Sequence, residues 1–212
     1  RGKSIDMAKR PWLPRIYNQP FQVDAQGLHR RKVLLIFGRQ CEKSTTLANM
    51  AMAMANLEPY LRLLYVTASE TNIQDVKQEL ELYAGGPFPF QIMEVSSFKQ
   101  SAQRSGRTEI EPLPKVDRGL YIVDRYNIAA YRQALRDVGF DALIGDEAHL
   151  LKNIEGAAAV KAWYEIQQDV LNRGGRFLYL TATPATVFDD LEQFIGLREW
   201  APGFFEDYKA RV

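Results

Sequence analysis

Short apolar runs alternate with segments of helical length along most of the 212-residue chain. A continuous apolar run of about four to eight residues is typical of a strand that is buried on both faces. Two of the longer segments end at paired glycines, which commonly stop helices. Strands that alternate with helices in this way require a mainly parallel sheet with helices on both faces. The sequence therefore predicts an α/β fold.

The same pattern gives the approximate bounds of each element. The predicted strands are 32–37, 61–68, 90–95, 119–124, 140–149 and 176–184. The predicted helices are 44–57, 71–86, 127–139, 156–175 and 188–197. Residues 99–118 have no periodicity and several turn residues, so we predict an exposed loop there.

The composition excludes several classes of site. Because Cys41 is the single cysteine, an internal disulfide and a cysteine-based zinc site are excluded, and a reducing compartment such as the cytoplasm is expected. His29 and His149 lie far apart in the sequence, so we expect no dedicated metal cage. No segment reaches the roughly 20 apolar residues of a membrane span, so we expect no membrane contact.

Positive charge is concentrated at the start of the chain. Residues 1–32 contain eight of the 27 Lys and Arg residues but only two of the 26 Asp and Glu residues. A basic segment beside a mildly acidic body fits a polyanionic partner such as DNA, although a solvated terminal segment explains the charge equally well. We therefore divide the chain into a basic arm, residues 1–30, and one domain, residues 31–212.

The segment FGRQCEKSTT (37–46) follows the first predicted strand and opens the first predicted helix. A phosphate-binding loop has the pattern G-x-x-x-x-G-K-[ST], in which backbone N–H groups hold phosphates and the lysine reaches the terminal ones. Lys43 and Ser44 match the end of this pattern, and the start of a helix favours phosphate. The Ser44 hydroxyl also suits Mg²⁺.

The two glycine positions of that pattern are occupied by Phe37 and Glu42. The Glu42 carboxylate repels phosphate unless it points outward or pairs with an arginine, whereas Gly38 still supplies one permissive backbone position. An ordinary strand-to-helix turn is therefore the alternative to a phosphate site.

Polar residues end two later strands, Asp146 and Glu147 in one and Thr181 and Thr183 in the other. Hydrolysis of ATP needs one acid for the Mg²⁺ shell and a second acid that orients the attacking water. Because the carboxyl ends of parallel strands meet at one edge of a sheet, we expect these residues beside the phosphate loop. The acids alone also fit a solvated turn. The three strand ends together predict a P-loop NTPase.

Three early segments resemble the ATPase domain of phage large terminases, which are viral DNA-packaging motors: RPWLPRIYN (10–18), GRQCEKSTTLANM (38–50) and LLYVTASE (63–70). The resemblance implies that Arg39 is the P-loop arginine that helps to trigger hydrolysis, and that Glu42 is a family variant. The ATP-binding residues that it implies are Gly38, Arg39, Gln40, Cys41, Glu42, Lys43, Ser44 and Thr45.

Residues 121–194 instead resemble the first RecA-like lobe of superfamily 2 helicases, especially the SNF2-like translocases. The matching motifs are DEAH (146–149) and TATP (181–184), and the resemblance implies that His149 links ATP to the second motif. This similarity covers more of the chain, but those helicases keep the glycine that Glu42 replaces. Because the Arg-Gln P-loop is the rarer feature, the terminase is our first interpretation and the helicase lobe is the alternative.

Both resemblances imply a DNA-dependent ATPase with the same reaction. ATP and Mg²⁺ bind at Lys43 and Ser44, Asp146 holds the metal, and Glu147 activates water. Thr181 and Thr183 then pass the change to double-stranded DNA.

Other expectations concern the adenine base, the partners and the location. Gln19 or Gln22, in the NQPFQ stretch, is a candidate contact to adenine, although a surface glutamine is the commoner explanation. Motors of both kinds complete the site with an arginine from elsewhere, so we expect other copies in a ring or a second motor lobe. The expected location is the cytoplasm, that of the host if the protein is viral. A nucleotide-binding module that does not hydrolyse ATP is a further alternative.

Overall fold

The structure is a computed structural model. The residues that it describes are 32–36, 43–84, 90–96, 112–147, 150 and 158–181. The predicted arm at 1–30, the predicted helix at 188–197 and most of the predicted loop at 99–118 lie outside the described residues.

The bounds of the elements agree with the predicted ones to within a few residues, except for one helix. The strands are β1 (Lys32–Ile36), β2 (Arg62–Thr67), β3 (Gln91–Glu94), β4 (Gly119–Asp124), β5 (Ala142–Gly145) and β6 (Arg176–Thr181). The helices are α1 (Lys43–Leu57), α2 (Glu70–Ala84), α3 (Arg132–Val138) and α4 (Ala158–Asn172).

The six strands form one sheet in the order β1-β6-β5-β2-β4-β3. Every neighbouring pair is parallel. Parallel neighbours require crossover connections, and the four described helices supply all of them except the one between β3 and β4, which lies mostly outside the described residues. The predicted α/β architecture with a parallel sheet is confirmed.

Helices cover both faces of the sheet, and the alternation of side chains along each strand gives each face its own core. On one face, α3 and α4 contribute Leu135, Val138, Trp163, Ile166 and Val170. On the other face, α1 and α2 contribute Leu47, Met50, Met54, Ile73, Val76 and Leu80. Within β2, Leu64 and Val66 belong to the first core, and Leu63 and Tyr65 belong to the second. The sheet is therefore held rigidly between two pairs of helices.

Helix α3 begins at Arg132, five residues after the predicted start at 127. The Asp124 carboxylate accepts hydrogen bonds from the backbone N–H groups of Tyr126 and Asn127, at 2.9 and 3.2 Å. These bonds hold the chain in a turn where the periodicity alone predicted helix. The predicted end is confirmed, because Gly139 adopts a left-handed φ of 75° and its N–H bonds to the Arg136 carbonyl.

Gly145, at the end of β5, lies directly against the ring of Tyr179. A Cβ atom on Gly145 would lie 2.7 and 2.9 Å from two ring carbons. The ring has little room to move, because it packs on Phe177 with ring centroids 5.0 Å apart and its hydroxyl donates to Gln167 Oε1 at 2.7 Å. Glycine is therefore required for this close approach of β5 and β6.

We expect Gly145→Ala to lower the free energy of unfolding by about 1–3 kcal/mol, since the added methyl overpacks the core. Denaturant unfolding measures the change. The control is Leu57→Ala at the end of α1, where the side chain is 66% exposed, and we expect a change within about 0.5 kcal/mol there. A Gly145→Ala variant as stable as the wild type would contradict the packing described.

Candidate nucleotide-binding site

The three strands whose ends carry the sequence motifs are neighbours in the sheet, with β6 between β1 and β5. Ile36 of β1 pairs with Thr181 of β6, and Gly145 of β5 pairs with Tyr179. Neighbouring strands lie about 4.8 Å apart. Asp146, one residue beyond β5, is therefore brought to the same carboxyl edge as the ends of β1 and β6.

Helix α1 begins at this edge, because six residues link it to the carboxyl end of β1. Lys43 and Ser44 lie in its first turn. Leu47 and Met50 are fully buried in the core that α1 shares with the sheet, so the position of the helix is fixed by packing. The free N–H groups and the dipole of its first turn make this edge favourable for phosphate.

Thr45 makes a contact that the sequence did not predict. Its hydroxyl donates to Glu79 Oε2 on α2 at 3.0 Å. This bond ties the first turn of α1 to α2, across 34 residues of sequence. The Thr45 hydroxyl therefore faces the neighbouring helix in the structure.

Asp146 is held in place by two backbone contacts. Its N–H donates to the Val66 carbonyl of β2 at 2.9 Å, and its Oδ1 accepts the Glu147 N–H at 2.9 Å. The residue is only 5% exposed. A fixed carboxylate at the strand end is a suitable ligand for Mg²⁺, which prefers oxygen and takes most of its other ligands from phosphates and water.

Glu147 adopts a φ of 47°, which lies in the left-handed region. It is the one residue other than glycine with a positive φ within the described ranges. This conformation costs a residue with a Cβ about 1–2 kcal/mol. Backbone strain of this kind occurs where the position of a functional side chain matters more than stability.

The remaining predicted site residues are only partly described. Thr181 is fully buried at the end of β6. The residues outside the described ranges are Gln22, Gly38, Arg39, Gln40, Cys41, Glu42, His149 and Thr183. Their assigned roles stay predictions.

Within the described part of the chain, no group of three or more His, Cys, Asp and Glu side chains is arranged to hold a metal ion. None of the helices described here has the length and apolarity needed to cross a membrane.

Tyr65 is a neighbour of this site that the sequence did not single out. It lies on β2 and is fully buried, and its hydroxyl has no hydrogen-bond partner within the described part of the chain. Burial, and then the negative charge of Asp146, raise the pKa of Tyr65 well above its usual value. The one signal in the sequence is a tyrosine within the otherwise aliphatic run LLYV.

The sequence matches no protein-family profile and no curated protein. Two solved structures nevertheless share its fold. The Sulfolobus solfataricus SWI2/SNF2 ATPase core in complex with dsDNA has a TM-score of 0.61 and 14% identity over 96% of this chain. A nuclease-deletion mutant of the Type ISP restriction-modification enzyme LlaGI, in complex with a DNA substrate mimic, has a TM-score of 0.54 and 16% identity over 87% of this chain.

At this level of identity the two similarities show the fold alone, and they confirm the predicted RecA-like form of the α/β sheet. The chain spans 38% of the length of the first protein and 18% of the length of the second.

We expect Glu147→Gly to be more stable than Glu147→Ala by about 1 kcal/mol. Both variants lack the same side chain, and glycine alone adopts a φ near 47° without cost. At an ordinary helix or strand position the order is reversed. Denaturant unfolding of the two variants gives the sign. An alanine variant that equals or exceeds the glycine variant in stability would contradict a strained backbone at Glu147.

Proposed function

We propose that the chain is an ATP-hydrolysing motor domain that acts on double-stranded DNA, as the first RecA-like lobe of a superfamily 2 translocase. The observation that carries the proposal is the adjacency of β1, β6 and β5. It brings the start of α1, the acids Asp146 and Glu147, and Thr181 to one sheet edge. The likeness to a SWI2/SNF2 ATPase core bound to dsDNA supports both the reaction and the partner.

Our first interpretation from the P-loop was a packaging terminase, and we now prefer the helicase lobe. The SWI2/SNF2 likeness covers 96% of the chain and supports the helicase alternative better. Neither of the two solved structures supports packaging of a viral genome. Both interpretations share one reaction, so the roles proposed for the residues of the site are the same in either case.

ATP is held at the start of α1, where the Lys43 side chain reaches the terminal phosphates. Ser44 and Asp146 hold Mg²⁺, which when bound neutralises negative charge on the phosphates. Because the Thr45 hydroxyl is bonded to Glu79, Thr45 contributes its backbone N–H to the phosphates.

Glu147 orients the attacking water and accepts its proton. The left-handed backbone at Glu147 turns the chain sharply after Asp146, so two consecutive acids take different directions and different roles. Thr181 lies on the middle strand of the three, where loss of the terminal phosphate is sensed. Arg39, His149, Thr183 and Gln22 keep the roles that the resemblances imply, as proposals.

A surface for DNA lies further along the same edge, after β4. Tyr126 is 66% exposed, and the Arg125 guanidinium carbon lies 4.4 Å from the centroid of its ring. The Arg125 guanidinium also donates to the Tyr126 hydroxyl. A half-buried arginine stacked on an exposed aromatic ring suits the phosphates and sugars of a nucleic acid.

Steady-state ATP hydrolysis with Mg²⁺, with and without double-stranded DNA, tests the reaction. We expect DNA to stimulate the wild type, and Glu147→Gln to lower the rate by about 10²–10⁴-fold while it still binds ATP. Lys43→Ala is expected to lose binding as well as hydrolysis. Nucleotide binding is measured beside the rate, because a second lobe or subunit completes such sites.

Two results would contradict this function. If the wild type binds ATP but neither it nor the variants hydrolyse ATP with DNA present, the chain is a nucleotide-binding module. If the wild type does not bind ATP, the edge formed by β1, β6 and β5 is not a nucleotide site.

Arg125→Ala tests the DNA surface. We expect weaker binding to duplexes of any sequence. We also expect the slope of log affinity against log salt concentration to become shallower by about one. The control is Arg132→Ala, because Arg132 is paired with Glu165 of α4, and we expect its DNA binding to match the wild type. Fluorescence anisotropy at several salt concentrations measures both. Equal slopes for the wild type and Arg125→Ala would exclude Arg125 as a phosphate contact.

A further inference from the structure

The hydroxyl of Tyr65 is buried, and none of the described residues forms a hydrogen bond with it. The side chain is fully buried in the core that β2 shares with α1 and α2. A buried hydroxyl that bonds to nothing costs free energy, and phenylalanine would fill the same space without that cost. Nearly all buried polar groups in proteins form a hydrogen bond. We therefore looked for a group that can accept one from the Tyr65 hydroxyl.

Asp146 lies where it can be that partner. Tyr65 of β2 pairs with Ile144 of β5, and both side chains belong to the same core. Because side chains alternate along a strand, residue 146 falls on the same face as Ile144, one step nearer the carboxyl edge. The backbone bond from Asp146 to Val66 holds β5 against β2 at this level. Tyr65 and Asp146 are therefore diagonal neighbours on two paired strands.

We propose that Tyr65 is a positioning residue for Asp146. Its hydroxyl donates a hydrogen bond to the Asp146 carboxylate, directly or through one water, when ATP and Mg²⁺ bind. The bond fixes the direction in which Asp146 presents its oxygens to the metal. The inference rests on the function proposed above, because it assigns Asp146 to Mg²⁺.

The charge of Asp146 adds to the effect of burial in raising the pKa of Tyr65, so the carboxylate lies within electrostatic reach of the hydroxyl. Oδ1 of Asp146 already accepts the Glu147 N–H. A carboxylate oxygen accepts more than one hydrogen bond, so the bond to Glu147 does not exclude one from Tyr65.

Tyr179 provides a matched control on the other face of the sheet. It too is a fully buried tyrosine on a strand, and burial raises its pKa well above the usual value. Its hydroxyl, however, donates to Gln167 Oε1 at 2.7 Å. The two tyrosines therefore differ chiefly in whether the hydroxyl is satisfied within the fold.

The experiment compares Tyr65→Phe and Tyr179→Phe with the wild type in two measurements. The first is the Tm without nucleotide or Mg²⁺. The second is the binding of a fluorescent, non-hydrolysable ATP analogue as MgCl₂ is titrated. We expect Tyr65→Phe to keep or raise the Tm and to need about tenfold more Mg²⁺ for half-maximal binding, as is usual when a group that orients a metal ligand is lost.

We expect the opposite pattern for Tyr179→Phe, with a lower Tm, because Gln167 loses its partner, and an unchanged Mg²⁺ requirement. The proposal is overturned if Tyr65→Phe leaves the Mg²⁺ requirement unchanged, or lowers the Tm as much as Tyr179→Phe does. If the wild type shows no Mg²⁺-dependent binding of the analogue, the proposed function fails together with the inference. Normal wild-type binding with an unaltered Tyr65→Phe refutes the inference alone.

Discussion

The ladder of hydrogen bonds around β5 is the constraint on which the candidate site depends. This strand has only four residues, all buried, and it pairs with β2 on one side and β6 on the other. Its last contact, from the Asp146 N–H to the Val66 carbonyl at 2.9 Å, fixes the first acid of the site to the sheet. The position of Asp146 is thus set by strand pairing.

Packing at the end of β5 explains why a strained acid is tolerated there. Gly145 lets the Tyr179 ring lie across the strand, and Tyr179 in turn is held by Gln167. This well-packed region opposes the cost of the left-handed backbone at Glu147, two residues further on. The packing lies just behind the acids, as expected if the strain at Glu147 serves the proposed reaction.

The sequence predicted the parallel α/β fold because apolar runs and helical spacing are local properties of the chain. It also predicted that three strand ends share one edge, which follows from parallel pairing alone. It did not predict the strand order, since that order depends on contacts between distant segments. It placed the start of α3 wrongly because the turn bonds of Asp124 compete with helical periodicity.

The bond from Thr45 to Glu79 and the electrostatic effect of Asp146 on Tyr65 escaped prediction for the same reason, because Glu79 and Asp146 lie 34 and 81 residues further along the chain. A motif identifies a residue by its neighbours in sequence, whereas these two side chains are defined by their neighbours in space. Strand β2 also contacts two segments that are distant from it in the sequence. Its consecutive carbonyls, those of Val66 and Thr67, accept the N–H groups of Asp146 and Arg125. The first acid of the candidate nucleotide site and the first residue of the proposed DNA surface are thereby fixed to adjacent peptide groups of one buried strand, so the sheet itself sets the distance between them.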